Sequence, residues 1–167
     1  MKNIRIREAV ISDLPAYVHI CMEIWGGKDY EKISNRLKKS FSIFNSGYSI
    51  ALIDNKVVGT GEAFPVIEKL NVTGMNGVED VIDLYAPDGK YFYIHGIEVL
   101  SKYRKLGIGR ALLDYNIDLA NKLNCAQIYG IGIHENIDFW FNHGFKSEGT
   151  WQSYKNFGRF IRIYKQL

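Results

Sequence analysis

Residues 91–113 read YFYIHGIEVLSKYRKLGIGRALL, and the order of chemistry within them decides the fold. Tyr91 to Val99 alternates and is rich in β-branched and aromatic residues, the signature of a strand. A short basic turn follows, with Lys102, Arg104 and Lys105, and then Gly107 and Gly109 open an apolar pattern of helical period. The first turn of a helix carries N–H groups with no internal partner, and the helix dipole adds partial positive charge there. Glycines at 107 and 109 remove the Cβ atoms that would hold an anion away, while Arg104, Lys105 and Arg110 surround the place with full charges. Phosphate is the expected guest.

Two common phosphate motifs are excluded by spacing. A P-loop would read GxxxxGK[ST], and no such run occurs; the dinucleotide fingerprint GxGxxG needs a third glycine where Leu112 stands. The residues present, Arg104-Lys105-Leu106-Gly107-Ile108-Gly109, spell R-x-x-G-x-G. This resembles the coenzyme A pyrophosphate loop of the GCN5-related N-acetyltransferase (GNAT) superfamily. Ile97-Glu98-Val99 with Tyr103-Arg104 resembles that family's fourth strand and turn, and Arg110 to Leu113 the start of its third helix. Phe139-Trp140 and Gly144-Phe145 resemble its fourth helix and the glycine-aromatic pair that ends it, so the resemblance runs in order from about Ile4 to Phe145. Taken alone, the six-residue match is also what a glycine-softened turn with solvated lysines would look like.

Working outward, 167 residues are expected to form a single domain, 1–167, with one substantial core. A hydrophobic fraction of 47% against 23% charged residues is ordinary for a globular chain and excludes a disordered tail or a solenoid. Net charge is only +3, and its clustered cations gather at one glycine turn rather than in a stripe, which argues against a nucleic-acid partner. No run of about 18 apolar residues offers a membrane span. Cys21 and Cys125 lie on apolar faces and read as buried thiols of a reducing compartment, so the expectation is a cytoplasmic protein.

Ile4, Ile6 and Ala9 suggest a first strand. Ser12 is placed to cap a helix holding Leu14, Val18, Cys21 and Trp25, with Pro15 in its first turn and Gly26-Gly27 as its stop. A second helix spans about 30–44, with Ile33, Leu37 and Phe41 in step. Tyr48 to Ile53 and Lys56 to Ile67 read as a hairpin about Asp54-Asn55, Gly59 and Gly61 marking a bulge or close approach and Pro65 an edge. The stretch 68–90 sets five acids against two lysines in an otherwise cationic chain. It reads as a solvated loop with a short helix, or as an acidic wall attracting a cationic amine. The glycine turn leads into a helix reaching Asn124, a buried strand at Ala126 to Ile133, a short helix at Asn136 to His143, and a terminal hairpin of 145–153 with 159–167. The fold class is therefore mixed α/β (α+β), with a β-α-β unit at its centre.

The resemblance implies a central mixed sheet whose fourth and fifth strands splay, with helices on its faces and a pantetheine arm bonded to backbone at Ile97 and Val99. It implies acetyl-coenzyme A as acyl donor, held by Arg104, Lys105, Leu106, Gly107, Ile108, Gly109 and Arg110. The reaction would acylate the primary amine of a small molecule or peptide. Such an amine, with a pKa near 10.4, is neutral only about one part in two to three thousand at pH 7, so a proton acceptor is the larger catalytic need. His95 occupies a strand position where relatives carry His or Glu as base, and Tyr93 shares its face. His95 is equally readable as a half-buried side chain with one hydrogen bond. Glu98 falls on the opposite face and reads as structural.

Two family features are altered. Counting back from Gly144-Phe145, the slot of the thiolate-protonating tyrosine holds Trp140, whose indole N–H releases no proton, leaving Tyr154 or an unaided thiolate. Asn136 is similar to the coenzyme-contacting asparagine, though three residues too close to Gly144. His95, Glu98, His134, Glu135 and His143 lack metal-ligand spacing, so no metal is expected. The rival readings are a non-catalytic acyl-coenzyme A binding module and a nucleotide-phosphate enzyme; the acceptor's identity and a homodimer stay open.

Overall fold

The computed structural model describes residues 3–69, 82–154 and 158–167. Seven strands form one sheet in the order β1-β2-β3-β4-β5-β7-β6. They are β1 Ile4–Glu8, β2 Tyr48–Ile53, β3 Lys56–Val66, β4 Tyr91–Val99, β5 Gln127–Ile133, β6 Lys146–Tyr154 and β7 Gly158–Gln166. Among the described residues four α-helices accompany them: α1 Leu14–Trp25, α2 Tyr30–Ile43, α3 Ile108–Lys122 and α4 Ile137–Asn142. The mixed α/β class read from the sequence stands. The β4–β5 ladder is parallel, and the other registered pairs are antiparallel. That parallel ladder covers only Tyr91↔Gln127 to Ile94↔Gly130, although both strands run on. The chain divides into two compact units, Met1–Ala63 with Gly96–Leu119, and Phe64–His95 with Ala120–Leu167.

In the first unit, α1 and α2 bury Tyr17, Val18, Cys21 and Leu37 against Tyr48, Ile50 and Leu52. Ser12 does not cap α1. A 3-10 turn at Ile11–Asp13 precedes the helix, because Arg7 grips Asp13 through two nitrogens at 2.7 and 3.0 Å while the same carboxylate accepts from Val10 N–H. Gly26, at φ 67°, ends the helix as its position forecasts, and Asp29 caps α2 by accepting from Lys32 N–H. The β2–β3 hairpin turns at Asp54 and Asn55, both with positive φ, and its register slips between Ala51 and Leu52 opposite Gly59. Gly59 is also a close approach: a Cβ there would lie 2.9 Å from the Glu98 carbonyl oxygen, 3.2 Å from Ile108 Cγ2 and 3.3 Å from Leu112 Cδ1. Fully buried Ile108 and Leu112 pack with Ala51, Ile53 and Val58, so the first turn of α3 is pinned directly on the strands.

In the second unit, Phe92, Ile94, Ile128 and Ile163 are buried, and β7 pairs with both β5 and β6. β3 lies inside the sheet, but its registered pairing with β2 ends at Glu62, so Pro65 lies beyond that ladder, where the sequence placed the strand's end at an edge. Pro65 is accommodated one residue from the strand end, where Val66 bridges Tyr85 and the Pro65 carbonyl accepts from Ala86 N–H. Most of the acidic stretch, including Glu79 and Asp80, lies outside the described residues. Cys21 and Cys125 are free and buried, in agreement with their apolar settings. Gly59→Ala forces a methyl against backbone and two core side chains, and is expected to lower unfolding stability by about 1–3 kcal/mol in a urea titration.

Candidate functional site

Both ends of the decisive turn lie in the first unit. After β4, Leu100 N–H donates to Val58 O, Ser101–Tyr103 forms a 3-10 turn, and Arg104 Nε donates back to the Val99 carbonyl at 3.0 Å. Lys105 and Gly107 then take positive φ values of 62° and 84°. That conformation is inexpensive for glycine and costs a lysine about 1 kcal/mol. The position a Gly107 Cβ would occupy faces open space, with nothing within 4 Å. Gly107 O accepts the first helical bond of α3, from Ala111 N–H, so the amides before it are those a helix leaves without internal partners. Leu106 is exposed, Ile108 is buried as the anchor, and Arg110 stands in solvent with Asp114 3.5 Å away. Ile97 and Val99 are half-buried against the same cluster. The stretch Ile97 to Arg110 is thus one continuous turn from β4 into α3, with Gly107 facing outward and Arg104, Lys105 and Arg110 exposed.

Tyr93 and His95 belong to the second unit. Tyr93 is buried among Phe64, Tyr129 and His95, with ring centroids 5.8, 5.1 and 6.0 Å away. His95 is half-buried. Asn136 closes its own 3-10 turn by accepting from Ile133 N–H at 3.2 Å. Trp140 is buried against Phe139 and Phe145 and is a core residue there. His143 and His134 are committed locally, the first with Nδ1 2.5 Å from Phe139 O and the second against the Trp151 ring. Among the described residues no group of three acids, histidines or cysteines could hold a metal ion.

Sequence reasoning set aside the most unusual group of the first unit. Glu98 is 6% exposed and its carboxylate folds back along β4 until it fills the space where a Gly96 side chain would stand. The absence of a side chain at Gly96 is what leaves room for this carboxylate. Trp25 Nε1 donates to Glu98 Oε1 at 3.2 Å and Thr60 Oγ1 to Oε2 at 3.1 Å. Burial pushes the Glu98 carboxyl up to about 7, the two hydrogen bonds pull it partly back, and the charge of Glu62 adds to the rise. Glu62, 2% exposed, is better supplied: Arg36 donates to it at 2.9–3.2 Å and Tyr48 at 2.7 Å, with Ser40 bonded in turn to the Tyr48 hydroxyl. A sequence signal existed, since Glu62 and Glu98 are the single carboxylates of their largely apolar strands, and a glycine stands two positions before Glu98.

A sequence model described as the acetyltransferase (GNAT) family matches residues 10–145. The chain belongs to that family. Solved structures agree in fold. Naa50 from Arabidopsis thaliana, in complex with a bisubstrate analogue of coenzyme A and a peptide, is 18% identical, with 98% of this chain and 99% of that one covered and a TM-score of 0.73. Ribosomal-protein-alanine N-acetyltransferase from Brucella melitensis is 21% identical at 98% and 99% coverage with a TM-score of 0.71. GphF, a GNAT-like decarboxylase in complex with isobutyryl-coenzyme A, is 18% identical at 97% and 98% with a TM-score of 0.71. The sequence matches no curated protein. Membership in this family supports acyl-coenzyme A-dependent acyltransferase chemistry as the class, in agreement with the R-x-x-G-x-G reading.

The Glu98 carboxyl gives this GNAT chain a pH signature. Folded, it keeps its proton up to about pH 7, whereas in the unfolded chain it releases it near its ordinary value of 4.5. The folded state therefore holds more protons between those values, and its stability from this group falls as pH rises through that window. Glu98→Gln should flatten that part of the stability profile, removing a slope worth about 3 kcal/mol in total, measured by urea titrations at successive pH values.

Proposed function

We propose that this protein transfers an acetyl group from acetyl-coenzyme A to the primary amine of a small molecule or peptide. The observation that carries this reading is the helix mouth at Gly107, open where a side chain would stand and rimmed by Arg104, Lys105 and Arg110, in a chain of the GNAT family. Backbone amides there suit a diphosphate as ligand, and their dipoles and full charges reinforce one another. Bound coenzyme supplies the activated acyl group as a thioester. Ile97 and Val99 are the backbone positions proposed to align its arm along β4, and the Ile97 N–H is proposed to polarise the thioester carbonyl.

The remaining chemistry is proton transfer. His95 is the proposed base, its unperturbed range near 6.5 suiting removal of a proton from an alkylammonium, and Tyr93 its proposed companion. Trp140 contributes no acid, and a thiolate with a parent pKa of about 8.5 leaves without one.

Calorimetry should show coenzyme A binding that weakens tenfold or more in Gly107→Val, where β-branching is incompatible with the positive φ and the methyls occupy the mouth. Thiol release from acetyl-coenzyme A should depend on an amine from a mixed panel and fall about a hundredfold or more in His95→Ala. Tight coenzyme binding without amine-dependent release from any panel member would instead establish the binding-module reading. A larger rise in Tm with ATP or NAD than with coenzyme A would remove both.

A further inference from the structure

The region beneath the C-terminal end of α1 contains more buried polarity than its own partners satisfy. Arg36 neutralises Glu62, which leaves Glu98 with two neutral donors and no cation. The Tyr17 hydroxyl is fully buried, is acted on by the charges of both Glu62 and Glu98, and has no hydrogen-bond partner among the described residues. A buried hydroxyl without a partner is costly, and a further polar group beside it would relieve that cost. The titratable groups within electrostatic reach of Glu98 are Tyr17 and Cys21 from α1, Arg36 from α2 and Glu62 from β3, with Tyr48 of β2 joined through Glu62.

Between this cluster and solvent stands Trp25. It is the last residue of α1, 47% exposed, directly before the Gly26-Gly27 stop. Its N–H reaches Glu98 Oε1 at 3.2 Å, long for a bond to a carboxylate, where charge-assisted N–H···O contacts run about 2.7–2.9 Å. A neutral, half-exposed donor at that distance is a weak partner, and a cationic N–H donor is a stronger one for the same oxygen.

We propose that the acceptor's alkylammonium group displaces the Trp25 indole from Glu98 Oε1, so that Glu98 and Trp25 together select a cationic acceptor. This rests on the acyltransferase reading above and names the residues that recognise its second substrate. Thr60 keeps Oε2 in place during the exchange, the Tyr17 hydroxyl supplies an acceptor lone pair to a second ammonium N–H, and the indole face remains beside the cation, a favourable arrangement for an ammonium ion. Recognition requires ionised Glu98 and so is lost as pH falls through about 7.

The test uses n-butylammonium chloride as probe, with n-butanol and sodium chloride as controls, on the full chain without coenzyme. Trp25 fluorescence, taken as the difference between wild type and Trp25→Phe, should change saturably with butylammonium and not with butanol, with an affinity at least tenfold weaker at pH 5.5 than at pH 8. Glu98→Gln should weaken binding tenfold or more by calorimetry. Trp25→Phe, which removes the competing N–H and keeps a ring, should bind several-fold tighter, and this arm decides the matter even should the Glu98 variant fail to fold. Equal binding in Glu98→Gln, unchanged or weaker binding in Trp25→Phe, saturation by butanol, or no response in wild type would overturn the proposal. Coenzyme A calorimetry in parallel separates the two readings: a chain that binds butylammonium as described but no coenzyme loses the acyltransferase assignment and keeps this subsite.

Discussion

The seating of α3 on the strands at Gly59 is the constraint on which the first unit depends. A helix mouth binds an anion only where its unpaired amides face outward and are held still, since a mobile cradle gives back in ordering entropy what its dipoles provide. Ile108 meets both requirements. Fully buried against Ala51, Ile53 and Val58, it anchors the first residue of the helix, and the absent side chain at Gly59 brings β3, the Glu98 carbonyl and that anchor within contact distance. A loop that must climb from Val99 to Ile108 under this restriction has little freedom. Arg104 fastens back to the Val99 carbonyl, and the two left-handed residues, Lys105 and Gly107, complete the ascent. The lysine's positive φ is the strain of a turn fixed at both ends.

Charge burial is the second organising cost, and the unit meets it unevenly. Glu62 is surrounded by donors and one guanidinium, an arrangement in which removal of a single partner leaves an uncompensated ion. Glu98 is equally inaccessible but has no cation of its own, which is why its carboxyl is held near neutrality at pH 7 rather than ionised throughout. The two acids stand on neighbouring strands and share Arg36 only through space. The result is a polar floor in one well-satisfied state on one side and one exchangeable state on the other.

The fold and the course of the glycine turn were legible in the sequence because both are written in local order. Strand, basic turn, glycine pair and helix occupy consecutive residues, and Asp54-Asn55 and Gly26 act within a few positions of themselves. What local order does not carry was missed. Ser12 loses its capping place to Asp13 because Arg7, from a different element, claims that carboxylate. The surroundings of Glu98 were not legible either, since alternation assigns a face and says nothing of where a long side chain ends. Its carboxylate travels back two residues to the slot above Gly96, and its partners, Trp25 and Thr60, are 73 and 38 positions away. The acidic stretch around Glu79 and Asp80 lies outside the described residues, so its reading stays where the sequence left it.

The energetics of exchange at Glu98 explain why an indole is a suitable resident. A neutral hydrogen bond is worth about 0.5–1.5 kcal/mol net and one to a charged partner about 1.5–3 kcal/mol, so an ammonium replacing the indole gains on the order of 1 kcal/mol from the bond alone. It gains further because its charge favours the ionised carboxylate, which the indole supports only weakly. An apolar residue at position 25 would instead leave Oε1 without a donor whenever the acceptor is absent, a costlier resting state, and an arginine or lysine there would hold the carboxylate too firmly to be displaced. Tryptophan lies between these extremes. It satisfies the oxygen, shields it, and yields to a stronger donor, while its ring stays available to the incoming cation. Selectivity then comes from a difference in donor strength at one oxygen, and a neutral alcohol of the same shape gains nothing from the trade.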